Sequence, residues 1–365
     1  MSDITKVDPN FAVKTRHGKS DIRFYDVRET PFSVHGVFYE LDQFRRMPCD
    51  VAWSVNEGVG YLHTNTAGGR VRFKTDSPYV AIHAKMYSIG KMAHFTLCGS
   101  AGFDLYVTEN GTEKYFSTFV PPFNVEGGYD SIIEFDSETQ REITVNFPLY
   151  TDVGELYIGL SEKATVLAPP PYKIERPIVF YGSSITQGGC ASRAGTSYEG
   201  FVCRRLNADY INLGFSGSAR GEENMARYIS SLEMSAFVYD YDHNAPSVSH
   251  LRSTHEKMFR TIRESHPEIP IVMMSAPIYE AAGDFKLRRD IIENTYRNAL
   301  DSGDRNVYFL DGRALMALAG NEGTVDGCHP TDLGFASMAK AVGDVLEKAF
   351  FVKKFNLRNG ICEIV

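Results

Sequence analysis

The stretch Pro177-Ile178-Val179-Phe180-Tyr181-Gly182-Ser183-Ser184-Ile185-Thr186 decides how the second half of this chain folds. Four apolar residues run together without the polar alternation of a half-exposed strand, which suits a strand buried on both faces. The run stops at Gly182, and two serines lead out of it into helix. Four more such runs follow: Tyr210 to Leu213, Ala236 to Tyr241, Ile271 to Met274 and Val307 to Leu310. Helical patterns separate them, clearest over Ser249 to Ser265 and Asp284 to Ser302. A final helix after Pro330 sets Phe335, Met338, Ala339, Val342, Val345 and Leu346 on one face. Five strand–helix units predict a doubly wound parallel sheet in an α/β/α sandwich.

Upstream the period changes to two. Val71 to Thr75 alternates strictly, and Tyr79 to Met86, Phe103 to Val107, Lys114 to Phe119, Ile132 to Phe135, Glu142 to Phe147 and Glu155 to Leu160 are short β-rich runs. Asn110-Gly111 between two of them is a strong hairpin signal. Regular short strands with Gly, Asn and Asp turns predict an all-β sandwich of jelly-roll type. Trp53, the only tryptophan, is expected in its core. Ala168-Pro169-Pro170-Pro171-Tyr172, followed by Pro177, breaks both periods. The expected organisation is a β-sandwich over 1–168, a Pro-rich linker over 169–177 and an α/β domain over 178–365. Four prolines make the linker a semi-rigid spacer, so the sandwich should pack on the second domain and shape its cleft.

Composition narrows the partners. Of 365 residues, 43% are hydrophobic and 23% charged, an ordinary globular balance. Lys+Arg is 38 against Asp+Glu 46, a net charge of −8, which tells against nucleic-acid and anionic-membrane partners. Cys49, Cys98, Cys190, Cys203, Cys328 and Cys362 are scattered with no C-x-x-C pair, so neither a zinc ribbon nor a disulfide framework is indicated. The opening MSDITKVDPNF has no basic n-region or apolar h-region, and no run approaches the ~20 apolar residues of a membrane span. The expectation is a cytoplasmic protein with reduced thiols. Nothing in the sequence reports oligomeric state.

Ligands of such sheets bind at the carboxyl ends of the strands. Gly182 to Thr186, Gly214-Phe215-Ser216-Gly217, Asp242-His243-Asn244 and, ahead of the last helix, Asp326-Gly327-Cys328-His329 gather there. Asp326-x-x-His329 can set a carboxylate on one imidazole nitrogen and leave the other to face a hydroxyl, as a general base requires. Its bland alternative is a pair of loop caps before a helix. Ser184 leaves a buried strand at a sharp turn, which suits a nucleophile but also a helix N-cap. The N–H groups of Ser184 and Gly214 with the Asn244 amide would complete an oxyanion hole, unless Gly214 is a turn glycine and Asn244 a loop residue. Asp242 and His243 would brace this loop or meet substrate. Asp240, Asp242, His243, His250 and His255 lack metal-ligand spacing, so no metal or other cofactor is predicted and activity should be insensitive to chelators. Gly182 to Gly189 lacks the phosphate-loop Lys, the dinucleotide fingerprint and the Gly-x-Ser-x-Gly elbow.

Ser184, Gly214, Asn244 and His329 resemble, in order and context, the four namesake residues of the SGNH (GDSL-type) esterases. Gly182-Ser183-Ser184-Ile185 stands at the family's Gly-Asp-Ser-Leu, with Ser183 in place of aspartate. Asp242-His243-Asn244-Ala245 stands at Gly-x-Asn-Asp, with glycine and final aspartate replaced, and Asp326-Gly327-Cys328-His329 fits Asp-x-x-His unchanged. Gly102-Phe103-Asp104-Leu105-Tyr106 is similar to the Gly-x-Asp-Leu-Tyr signature of a β-sandwich that precedes some of these enzymes. The resemblance implies a flavodoxin-like α/β/α domain and a Ser184–His329–Asp326 triad. It also implies a carbohydrate acetylesterase acting on a small-molecule or oligosaccharide ester. Alternatives are a general short-chain esterase or lysophospholipase, and a sugar-binding protein with an inactive SGNH domain.

Overall fold

A computed structural model describes residues 4–13 and 17–352, together with the backbone of a terminal hairpin, Phe355–Arg358 and Ile361–Ile364. In the second half, five parallel strands form one sheet: β1 (Ile174–Gly182), β2 (Ala208–Gly214), β3 (Ala236–Asp240), β4 (Ile271–Met274) and β5 (Val307–Leu310). Their spatial order is β2-β1-β3-β4-β5, the doubly wound order of flavodoxin-like sheets. Val179, Tyr181, Leu213, Phe237 and Tyr239 point into one core, and Ile178, Phe180, Tyr210, Val238 and Val272 into the other. Successive side chains leave opposite faces and both faces are covered, which is why these runs show no polar alternation. Helices α1 (Ser184–Gln187), α2 (Tyr198–Leu206), α3 (Glu223–Ser231), α4 (Val248–Ser265), α5 (Asp284–Asp301) and α6 (Asp332–Phe351), with a single helical turn at Gly312–Leu315, flank the sheet. Gly182 pairs with Gly214 on one side and Asp240 on the other, so these three residues mark one level at the carboxyl rim.

Beside a two-stranded hairpin, Phe38–Glu40 with Gln43–Arg45, the first half holds two larger antiparallel sheets. One runs Ile22–Asp26, Thr151–Ser161, Tyr79–Ile89, Gly128–Glu134; the other runs Val166–Leu167, Arg70–Thr75, Arg141–Asn146, Phe103–Glu109, Thr112–Phe119. Val80, Ile82, Ile158 and Leu160 meet Val71, Phe73, Leu105, Ile143 and Val145 between them. Asn110 and Gly111 turn the hairpin with φ of +53° and +75°, as a two-residue turn matched to strand twist requires. The half is antiparallel and β-rich as expected, with short helices Cys49–Val55, Glu57–Leu62 and Leu97–Ser100 set into it. One expectation fails here. Trp53 is not core: it is 48% exposed and lies edge-on to Tyr61, while Ala52 and Val59 take the buried positions of the first two helices. Cys49, Cys98, Cys190, Cys203 and Cys328 are free thiols, and the Cys362 side chain lies outside the described residues. No helix among the described residues is long and apolar enough to cross a membrane.

The two halves share buried surface. Ala52 and Val59 sit in the same core as Val179, Phe215 and Met225. Asp104, fully buried, accepts from Asn146 Nδ2 (2.8 Å) within the first half and from Gly195 N (2.8 Å) in the second. Tyr106 packs on Gly195, and the Arg204 guanidinium lies 4.3 Å over its ring. Asp209 takes Arg70 and His35 across the same boundary. Arg46 goes deepest: its Nη1 donates to Gly214 O (2.5 Å) and its Nη2 to Leu62 O (2.6 Å), with the guanidinium 4.6 Å over the Phe215 ring. Each such carbonyl left unpaired in a buried site costs ~1–3 kcal/mol. Arg46→Ala should therefore lower stability by about 3 kcal/mol or more, read as a shift of the urea midpoint. An unchanged midpoint would show that the junction does not need this residue.

Candidate active site

Ser183 and Ser184 divide the two duties that a serine at this turn can have. Ser183 is fully buried and caps α1, its Oγ accepting from Ile185 N at 3.2 Å. Ser184 begins the helix, so its own N–H has no acceptor within it. Its Oγ lies 2.9 Å from His329 Nε2, and His329 Nδ1 lies 2.7 Å from Asp326 Oδ2. Asp326 Oδ1 also accepts from the backbone N–H of Cys328 (2.9 Å) and of His329 (2.7 Å), which closes the Asp-x-x-His turn on itself. Burial alone would raise the Asp326 pKa, but the His329 ring and those two N–H groups outweigh it and hold the carboxyl at about 2. Asp326 is therefore an anion throughout the neutral range. Ser184 is 9% exposed, while the side chains of His329 and Asp326 are 26% and 34% exposed, so the row opens to solvent from its aspartate end.

The remaining expected residues divide. Asn244 stands beside the loop after β2, its Nδ2 donating to Phe215 O at 3.0 Å and leaving one amide hydrogen over. Gly214 does not present its N–H: that group donates to Asn212 Oδ1 at 2.9 Å. Gly214 is glycine because α1 crosses so close that a Cβ would run into the backbone of Thr186 and Gln187. Three residues on, Gly217 has φ +67° and open space beside its Cα, and no acceptor takes its N–H among the described residues. Asp242 is turned inward and braces the loop. It is 1% exposed, its Oδ2 accepts from Ala276 N (2.8 Å), and its carbonyl takes Arg288 Nη1. His243 packs on Phe285 with ring centroids 5.3 Å apart, its Nδ1 is 4.0 Å from Cys328 Sγ, and burial lowers its pKa. His255 is a core residue, stacked on Tyr239 (4.7 Å) and pushed down to about 3 by burial, and His250 bonds Arg220 O at 2.8 Å.

The first half supplies residues that the sequence did not point to. Tyr150 Oη donates to Ser184 O at 3.2 Å. His94 brings its Nε2 to 3.9 Å from Asp326 Oδ2, with its ring 5.9 Å from that of His329. Gln187 Nε2 reaches back to Asn65 Oδ1 (3.0 Å) while its Oε1 accepts from Ser216 N (3.0 Å), tying the sandwich, α1 and the loop after β2 together. None of these has a local motif; Asn212, two residues before Gly214 in Asn-x-Gly, is the one that pattern could have flagged.

Residues 175–347 match the model of the GDSL-like lipase/acylhydrolase family. The chain carries a GDSL-like acylhydrolase domain. Residues 22–166 match the GxDLY model, the N-terminus of SGNH-hydrolase-type esterases, so the GDSL domain follows a GxDLY domain. A GDSL-like lipase candidate from Bacteroides ovatus superposes with a TM-score of 0.80 at 26% identity, over 90% of this chain and 98% of that one. The salicylyl-acyltransferase SsfX3 of a tetracycline biosynthetic pathway gives 0.73 at 18% identity, over 92% and 99%. An acetyl xylan esterase from the rumen bacterium Butyrivibrio proteoclasticus gives 0.60 at 14%, over 89% and 98%. The last two share the fold. No curated protein matches the sequence.

Beneath the serine turn of the GDSL domain lies a second acid with the opposite bias. Asp240 is 2% exposed, and burial, reinforced by the nearby Asp242, raises its pKa to about 8. The Thr186 hydroxyl and the Ser183 N–H donate to it, while its Oδ2 has no partner. Between pH ~4 and ~8 the folded protein keeps a proton on Asp240 that the unfolded chain has lost, so stability falls as pH rises, by up to ~1.4 kcal/mol per unit. Above the folded pKa the slope disappears. Asp240→Asn keeps an acceptor for Thr186 and Ser183 but cannot titrate. Its urea midpoints should be flatter across that window than those of the unaltered protein; parallel curves would place the titration elsewhere.

Proposed function

We propose that the protein is a serine esterase that removes short acyl groups, acetyl above all, from acetylated oligosaccharides. The observation that carries the reading is the unbroken row from Ser184 Oγ through His329 to Asp326, at 2.9 and 2.7 Å. Ser184 Oγ attacks the ester carbonyl, and His329 Nε2 takes its proton. Asp326, ionised at every working pH, fixes the tautomer and steadies the imidazolium. The tetrahedral oxyanion is met by the Ser184 N–H, the spare hydrogen of the Asn244 amide and the N–H of Gly217, which replaces Gly214 because the latter is spent on Asn212. His329 then protonates the departing alcohol, and water, deprotonated by the same ring, clears the acyl-enzyme. The chemistry calls on no cofactor.

The family supports ester hydrolysis. The sugar is supported by the acetyl xylan esterase that shares this fold, and by the way the first domain brings His94 against Asp326 and Tyr150 against Ser184. Domain junctions of this kind are favoured places for ligand sites.

Ser184→Ala should lower kcat on an activated acetyl ester by at least ~10³-fold. Ser183→Ala should keep most of the activity and lose ~1 kcal/mol of stability with its cap. The reverse pattern would assign the nucleophile to Ser183. Asp326→Asn should lower kcat far more than it raises KM, because the carboxylate acts on tautomer and charge. Offered acetylated oligosaccharides and lysophospholipids side by side, the enzyme should release acetate from the sugars; fatty-acid release alone would assign it to lipids.

A further inference from the structure

We propose that His94, Cys190 and His329 form a binding site for a soft divalent cation, Zn²⁺ foremost, and that filling it switches the esterase off. The three come from distant parts of the chain: His94 from the GxDLY domain, Cys190 from the loop after α1, and His329 from the turn before α6. Their ligand atoms all lie within 4.8 Å of one another. Ligands around tetrahedral zinc, bound at about 2.0–2.3 Å, stand roughly 3.5 Å apart, so side-chain movements of about 1 Å bring these three into place. Two imidazoles and a thiolate select zinc or a similar soft ion over Mg²⁺ or Ca²⁺, which prefer oxygen. The His94 ring has no hydrogen bond among the described residues, and Cys190 is a free, half-buried thiol. Neither side chain gives up a hydrogen bond to take the metal.

Binding and catalysis exclude each other because of His329. One of its ring nitrogens faces Ser184 Oγ and the other Asp326 Oδ2. A metal can take His329 only by displacing one of them, and either loss breaks the proton path. The exchange balances without redox chemistry: Zn²⁺ accepts lone pairs from two neutral imidazoles, the Cys190 thiol releases its proton to solvent as the S–Zn bond forms, and water fills the fourth position. Because the ligands span both domains, the ion should also clamp them and favour the folded state. The inhibition, though not the binding, rests on the esterase reading above.

The test titrates the chelator-treated full chain with Zn²⁺ and, separately, with Co²⁺. One equivalent of Co²⁺ should produce a near-ultraviolet thiolate-to-metal band that Cys190→Ser lacks, and Zn²⁺ should raise Tm in the unaltered chain but not in that variant. Zn²⁺ should abolish acetyl-ester hydrolysis and EDTA should restore it. Cys190→Ser should hydrolyse the ester normally without metal and need at least ~100-fold more Zn²⁺ for inhibition, with His94→Asn weakening the cobalt band in parallel. Absence of the thiolate band, or equal Zn²⁺ sensitivity in Cys190→Ser and the unaltered chain, overturns the proposal. A chain that shows the band and the Tm rise but hydrolyses no ester upholds the metal site and refutes the esterase assignment instead.

Discussion

Arg46 is a buried guanidinium whose close partners are carbonyl oxygens. It joins Leu62 O in its own half of the chain to Gly214 O in the other and lies over Phe215. Burial lowers its pKa to about 9, so it remains charged at neutral pH. A cation placed there is costly unless every neighbour stays where it is. That cost turns the end of β2 and the loop beyond it into a fixed object, and the oxyanion side of the candidate site is built on that loop.

The same economy of space governs the serine. At one level of the sheet Gly182, Gly214 and Asp240 stand side by side, and α1 passes over them at backbone contact. Gly182 and Gly214 lack side chains because Asp240, Thr186 and Gln187 occupy the room a Cβ would need. Asp240 in turn accepts from the Ser183 N–H and the Thr186 hydroxyl, which flank Ser184 in the chain. Thus a neutral buried carboxyl holds the turn from below, and an ionised carboxyl, Asp326, lies at its mouth. Their opposite biases follow from setting: Asp240 is enclosed beside another acid, whereas Asp326 is partly exposed and accepts from an imidazole and two N–H groups.

The GxDLY domain accordingly borders the candidate site. Its Asp104 and Tyr106 fasten the segment around Gly195, its Asn65 holds Gln187, and its His94 and Tyr150 stand against Asp326 and Ser184. The Gly-x-Asp-Leu-Tyr stretch thus does its visible work at the junction: Asp104 satisfies one donor from each side of it.

Local pattern was enough for the five parallel strands, the long helices, the Asn110-Gly111 hairpin and the Asp326-x-x-His329 turn, because each depends on neighbours in sequence. Burial on both faces erases alternation, a type of turn demands its residues, and a three-residue spacing sets a carboxylate on an imidazole. The helices at Cys49–Val55 and Glu57–Leu62 were hidden because their buried side chains pack into the core of the other domain, a surface their own segment does not announce. Trp53 was misplaced for the same reason. Gly214 looked like an oxyanion donor, but whether an N–H is free depends on what lies opposite it, and Asn212 does. Asp242 was likewise claimed by Ala276. His94 and Cys190 show the limit most clearly: ligand spacing in sequence detects only sites on one element, and these converge on His329 through a domain junction. The sequence by itself determined which segments are strands and helices and which residues could do chemistry. Tertiary structure decided which donors remain free and which distant side chains meet, because both are set by packing between elements.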